Sequence, residues 1–300
     1  MNTKEKFNVQ IDKDYTIPVW VVRGKNEGKT LIVTAGVHGC EYVGMLASRE
    51  LYNEIDPSTL SGNIIILPLL NREGFFGGHK QINPIDNKNL NREFTSNGNT
   101  ITDKIVSYLK ENIFNKGDFL MDLHGGDINE PMTPLVFIPT TASSFVNETA
   151  KEGAKYLPVN YRIKSTSVNG LYGSCAQSGT PAFLLEIGGV GEYSKEEIEL
   201  CKNSIYGILS FLNIKEGKNI NENQVESIES CYESAEKNGY WYPTIEENQN
   251  FKKDELLGTL KDIDDNIIKE YFAKFDGTVM YYTKSLGVLE GDNLIAYSRF

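Results

Sequence analysis

The sequence predicts an α/β layer architecture followed by a small all-β domain, on three observations. Short apolar runs (Leu31-Ile32-Val33, Ile64-Ile65-Ile66, Phe119-Leu120-Met121, Phe183-Leu184-Leu185) alternate with stretches of helical spacing, the pattern of strands and helices in layers. Residues 215–227 are rich in Lys, Glu, Asn and Gly and read as a linker. Beyond them, turn signals recur at Asn238-Gly239, Leu257-Gly258, Asp276-Gly277 and Glu290-Gly291 between short β-rich runs. We therefore divide the chain into a first domain, 1–222, and a second, 223–300.

Residues 7–12 and 16–23 alternate apolar and polar and read as strands at a sheet edge. The continuous apolar run 30–35 reads as a buried central strand. Val43, Leu46, Ala47, Leu51 and Ile55 have helical spacing over 41–55. Residues 63–70 form another buried strand, fading at Pro68. The Asn- and Gly-rich stretch 71–99 has no period, and a loop of that length in a compact domain tends to be functional. A helix is expected over 101–114 and a strand over 119–124, ending at Gly125-Gly126. Then follow a strand at 135–138, a helix at 143–155 and a strand at 182–187 ending at Gly188-Gly189. Ser194 with Glu197 resembles a capping box and opens a helix to about Leu212.

Bulk composition narrows the function. The chain has 300 residues, 40% hydrophobic and 24% charged, and can bury a sizeable core unaided. Its net charge of -11 argues against nucleic acid or an anionic membrane as partner, since both reward clustered Lys and Arg. Cys40, Cys175, Cys201 and Cys231 form no CxxC pair and read as free thiols in a reducing compartment. The first residues lack the apolar stretch of a signal peptide. No apolar run reaches the roughly 18 residues of a membrane span. The expectation is a cytoplasmic enzyme or binding protein, with homo-oligomerisation left open.

Three constellations carry chemistry. The first is Thr34-Ala35-Gly36-Val37-His38-Gly39-Cys40-Glu41, a strand running into a Gly-punctuated turn. Only three histidines occur: His38, His79 and His124. Two of them end apolar strands beside glycines, and the carboxyl edge of an open α/β sheet is where sites form. His38, Glu41 and His124 would give the three N and O ligands of a catalytic zinc. A glutamate opening a helix serves the helix dipole equally well, and His79, in the long loop, is the remaining candidate ligand. Asp122 lies two residues before His124 on a strand, so both side chains share a face. It could orient the histidine. The second constellation is the loop Asn83–Phe94, where Asn91 and Arg92 suit carboxylate recognition. The third is Leu184-Leu185-Glu186-Ile187, a glutamate in an apolar strand, costly to bury without a role. A general base would supply one.

In this order the motifs His38-Gly39-Cys40-Glu41, Asn89-Leu90-Asn91-Arg92, Asp122-Leu123-His124 and Leu185-Glu186-Ile187-Gly188 resemble the succinylglutamate desuccinylase/aspartoacylase family, within the zinc carboxypeptidase-like group. The resemblance runs over about residues 30–215 and extends to a C-terminal β-domain (Gly239-Tyr240-Trp241-Tyr242-Pro243) similar to biotinyl/lipoyl-type sandwiches. No lysine turn for a swinging-arm cofactor is present. The resemblance implies a zinc-carboxypeptidase-like mixed β-sheet flanked by helices, with the β-domain covering the active-site mouth. It implies one Zn2+ on His38, Glu41 and His124, Asn91 and Arg92 gripping a substrate carboxylate, and Glu186 as base. The implied activity is deacylation of a small N-acyl amino acid. The alternative is a metallocarboxypeptidase trimming short peptides.

The sequence departs from the family pattern at two places. Lys80 stands where the resemblance implies an arginine that polarises the scissile carbonyl, and lysine supplies charge without the planar fork. Tyr172 matches an aspartoacylase tyrosine, but Ala176 replaces the arginine that reads the aspartate side chain, which argues against N-acetylaspartate. Tyr282, in the Tyr281-Tyr282 pair, matches a C-terminal-domain tyrosine near the substrate. Cys40 reads as a spacer between the ligands.

Overall fold

The computed structural model describes residues 2–217 and 220–300. Its first part runs β1 (Thr3–Asp12), β2 (Tyr15–Arg23), β3 (Asn26–Ala35), α1 (Tyr42–Glu54), β4 (Ser61–Leu67), α2 (Arg72–Gly77), α3 (Ile101–Asn112), β5 (Phe119–His124), β6 (Leu135–Pro139), α4 (Ser144–Ala154), β7 (Tyr161–Ser165), α5 (Leu171–Gln177), β8 (Ala182–Glu186), α6 (Lys195–Phe211) and β9 (Val225–Glu226). The strands form one nine-stranded mixed sheet in the order β1-β2-β4-β3-β5-β8-β6-β7-β9. The centre, β4-β3-β5-β8, is parallel; β1-β2, β2-β4 and β8-β6 pair antiparallel.

Strand periodicity sorts the core into two layers. Leu31, Val33, Met121, Leu123, Phe183 and Leu185 face one side, against residues of α1, α4 and α6. Ile32, Leu120 and Leu184 face the other, against α3 and α5. Each fully buried aliphatic or aromatic side chain of these layers contributes about 1.5–3 kcal/mol. This is the helix-flanked mixed sheet that the sequence implied. Two capping boxes start helices cleanly: the expected one at Ser194/Glu197 and a second at Thr100/Asp103.

The second part is antiparallel throughout: β10 (Glu229–Ser234), β11 (Gly239–Pro243), β12 (Asn250–Phe251), β13 (Leu256–Lys261), β14 (Ile267–Phe272), β15 (Gly277–Tyr282), β16 (Gly287–Val288) and β17 (Asn293–Arg299). Two four-stranded sheets, β10-β17-β15-β12 and β14-β13-β11-β16, close on a core centred on Trp241, Leu257, Tyr271 and Tyr297. The chain from 223 onward does not all belong to this body. Val225–Glu226 pairs with β7 and adds the ninth strand to the large sheet.

Four short elements escape the sequence reading: α2, β7, α5 and β9. Each is too short for a period to declare itself. The long 71–99 stretch is therefore partly ordered. It holds α2 and a 3-10 turn at Leu90–Arg92.

Candidate functional site

Because β3, β5 and β8 run parallel side by side, their carboxyl ends open on one edge of the sheet. Register sets His124 directly beside Glu186. After β3 the chain turns at Gly36, in the left-handed region at φ 66°, where glycine carries no penalty. At Gly39 a Cβ would lie 2.2 Å from the backbone of α2. The glycine between His38 and Cys40 thus lets α2 pack onto the turn.

Glu41 is the N-cap residue of α1, yet its side chain makes no capping bond. It turns inward instead and is 8% exposed. One oxygen lies 2.6 Å from His38 Nδ1 and the other 2.8 Å from His124 Nδ1. The backbone N–H of Gly125 donates to it as well, at 3.3 Å. Burial pushes the Glu41 carboxyl up, but the two imidazoles outweigh it and pull it down to about 2. Burial acts against charging of His124, while Asp122 and Glu41 overcome it and raise its pKa well above the usual imidazole value.

The far nitrogens of both rings also have partners. His38 Nε2 lies 3.1 Å from Asn89 Oδ1. His124 Nε2 stands 3.2 Å from Asp122 Oδ2, though not aligned as a hydrogen bond. Thr34 Oγ1 donates to the other Asp122 oxygen at 2.8 Å, fixing the carboxylate. Ligand atoms from His38, Glu41 and His124 all lie within 4.8 Å of one another. Two imidazoles and a carboxylate, with the outer nitrogens occupied, are a donor set that fits a metal ion with N and O preference.

A cavity of about 390 Å³ opens over this cluster. Glu186 lines it, with Oε2 buried and, among the described residues, without a hydrogen-bond partner. Burial, only partly offset by His124, raises its pKa well above the ordinary carboxylate range. Asn91, Arg92 and Tyr172 line the same cavity. Asn91 Oδ1 accepts the Leu171 N–H at 2.9 Å, anchoring the turn to the start of α5. Arg92 Nη1 donates to the Asn91 carbonyl at 2.9 Å. Tyr172 donates its hydroxyl to Ser165 Oγ at 2.6 Å.

Two candidates fall elsewhere. Lys80 does not reach the cavity wall; Gln81 takes that place. The Lys80 ammonium donates to Asn129 Oδ1 at 3.0 Å and lies 3.8 Å from Asp127. Tyr282 packs in the β-domain core, and its neighbour Tyr281 lines the cavity. A bulge between Val279 and Tyr281 breaks the alternation of β15, and a bulge re-aims the side chains that follow it. The exposed His79 stays outside the cluster. Cys40 points away from it, donating to Asp127 Oδ1 at 3.2 Å, and burial raises its thiol pKa strongly.

Sequence reasoning missed Asn89, Glu130, Lys164 and Tyr281. Asn89 lay inside the quoted Asn89–Arg92 motif, and its place beside His38 was the available signal. Glu130 and Lys164 carried none, because a loop and a five-residue strand show no period. Tyr281 was hidden by the bulge.

Residues 27–212 match the family described as succinylglutamate desuccinylase/aspartoacylase catalytic domain. The N-alpha-acetyl-L-2,4-diaminobutyric acid deacetylase of Halomonas elongata is 26% identical over 294 residues, covering 93% of this chain and 84% of that protein. Among solved structures, the product-bound ectoine utilization protein EutE (DoeB) of Ruegeria pomeroyi superposes with a TM-score of 0.89 at 22% identity, covering 100% of this chain and 96% of that one. A succinylglutamate desuccinylase/aspartoacylase from Rhodobacter sphaeroides does so with a TM-score of 0.87 at 20% identity, over 100% and 96% of the two chains.

Proposed function

The chain belongs to the succinylglutamate desuccinylase/aspartoacylase family, and from that premise we propose that it is a zinc-dependent amide hydrolase that removes the acyl group from a small N-acyl amino acid. The observation that carries this reading is the convergence of His38, Glu41 and His124 beside the unpartnered buried oxygen of Glu186. Relatives named as a deacetylase and a desuccinylase support the reaction class.

His38, Glu41 and His124 would hold the zinc ion. Bound zinc polarises a carbonyl and lowers the pKa of water to about 7. Arg92 grips the substrate's carboxylate with its planar fork, and Asn91, its Oδ1 given to Leu171, adds the Nδ2 donors. Glu186 accepts the proton of the attacking water and returns it to the leaving amine nitrogen. Asp122 holds the His124 ring, and Asn89 the His38 ring. Tyr172, tied to Ser165, shapes the wall. The β-domain, through Tyr281, closes the mouth over a cavity of about 390 Å³, which favours a small substrate over a long peptide. The setting we propose is cytoplasmic; among the described residues no helix is long and apolar enough to cross a membrane.

The test is zinc-loaded protein on a panel of N-acetyl amino acids, dipeptides and longer peptides. Turnover of the acetyl compounds, reduced about 10²–10⁴-fold in Glu186→Gln with zinc content retained, is expected. Turnover of peptides alone would replace deacylation with carboxypeptidase activity. Near-wild-type rates in Glu186→Gln would remove Glu186 from the chemistry.

A further inference from the structure

One carboxylate of the cavity has no part in the scheme above. Glu130 lines the cavity from the loop between β5 and β6. Among the described residues its carboxylate takes one hydrogen bond, a long one accepted from the Asp127 N–H at 3.4 Å. Among the described residues no lysine or arginine forms an ion pair with it. The nearby cation, Lys80, is committed to Asn129 and Asp127. Burial foremost, then the charge of Asp127, pushes the Glu130 carboxyl up to about 7. A partly desolvated carboxylate without a counter-cation is costly, and an arriving cation would relieve that cost.

The loop is held as a rigid mount. Glu130 N–H donates to the Asp127 carbonyl at 3.0 Å, and Thr133 N–H to the Met280 carbonyl at 2.7 Å. Lys284 N–H donates to the Asn129 carbonyl at 2.7 Å, and Asn129 Nδ2 to Ser285 Oγ at 2.8 Å. The β-domain therefore sets where Glu130 stands. The opposite preference has weaker support. Ala176 is buried and offers no fork for an acidic side chain, and Lys164 is exposed, where water screens it.

We infer that Glu130 makes the cavity selective for an N-acyl amino acid whose side chain ends in a cationic amine, the carboxylate pairing with the ammonium while Arg92 holds the α-carboxylate. This rests on the deacylase reading for its reaction, though not for its binding preference.

The experiment compares zinc-loaded wild type and Glu130→Gln on Nα-acetyl-L-2,4-diaminobutyrate, on Nα-acetyl-L-2-aminobutyrate, which lacks the side-chain amine, and on Nα-acetyl-L-aspartate. Calorimetric binding of the free amino acids L-2,4-diaminobutyrate and L-2-aminobutyrate runs in parallel. Wild type is expected to favour the cationic over the neutral substrate by at least about tenfold in kcat/KM, and Glu130→Gln to cut that ratio about 10–100-fold. Deacylation at equal rates for both, or a ratio unchanged in Glu130→Gln, overturns the inference and leaves deacylation standing. No turnover, with a diamine binding preference that Glu130→Gln removes, supports Glu130 and sinks the deacylase reading. Neither turnover nor preference sinks both. If Glu130→Gln does not fold, a wild-type preference for the neutral or acidic compound still overturns the assignment.

Discussion

The proposed metal end of the cavity and its proposed substrate end are made of different materials. His38, Glu41, His124 and Glu186 stand at or just past the carboxyl ends of three adjacent parallel strands. Arg92 and Glu130 come from loops, and Tyr281 from a bulged strand of the other domain. Within the first group, His124 and Glu186 inherit their spacing from sheet register, and the turn after β3 brings His38 and Glu41 to them. The second depends on a few hydrogen-bond tethers. On the proposed function, chemistry is thus mounted on the sheet, and recognition on the segments around it.

Removing a ligand breaks the metal end most severely. His124→Ala should take zinc from about one ion per chain to near none, with loss of turnover. It also leaves Asp122, fully buried, without its imidazole, so the melting temperature should fall. Elemental analysis of the purified variant decides the point: retained stoichiometric zinc would place the metal elsewhere.

A change at the substrate end should be milder and of another kind. Arg92→Lys keeps the charge but loses the planar fork, so kcat/KM should fall about 10–100-fold, mainly through KM. Zinc content should stay at the wild-type level. A variant that instead loses metal would show that the two ends are not independent.

The same contrast explains what the sequence disclosed. The Asp122-x-His124 spacing, Glu186 in its apolar strand and the Gly-flanked His38 were legible because strand period and strand ends leave a pattern. Glu41 was ambiguous as a helix-start carboxylate; only its inward turn, with no capping bond, separates the readings. Gln81 and Tyr281 line the cavity wall, each one residue from the Lys80 and Tyr282 that the sequence reading named. Gln81 sits at φ 56° and Tyr281 follows a bulge, local backbone departures that shift facing without altering composition. Glu130 was invisible because its position is fixed by contacts with residues about 150 positions away, such as Met280 and Ser285.

The gentlest test loosens a tether. The loop carrying Asn89, Asn91 and Arg92 is tied to the start of α3: Asp86 accepts from Thr102 N–H at 2.8 Å, and Lys88 Nζ donates to Asp103 at 2.9 Å. Burial raises the Asp103 carboxyl, but Lys88 and Thr100 together outweigh it and hold it below its usual 3.8. A depressed carboxylate adds stability above its unfolded pKa and loses it as pH falls through the folded value. Asp103→Asn keeps an acceptor for Thr100 and removes the charge facing Lys88. At pH 7 its melting temperature should therefore drop by about 2 °C, the order expected of a partly exposed ion pair in a chain this long. The difference from wild type should stay constant down to roughly pH 5 and shrink below about 3.8. KM should rise a few-fold with zinc content near the wild-type level, because the tether bears on Arg92 directly and on the ligand set only through the Asn89 contact to His38. A difference that grew on acidification would mean that Asp103 is stabilising as a neutral group. Lys88 would then be doing nothing to hold the loop.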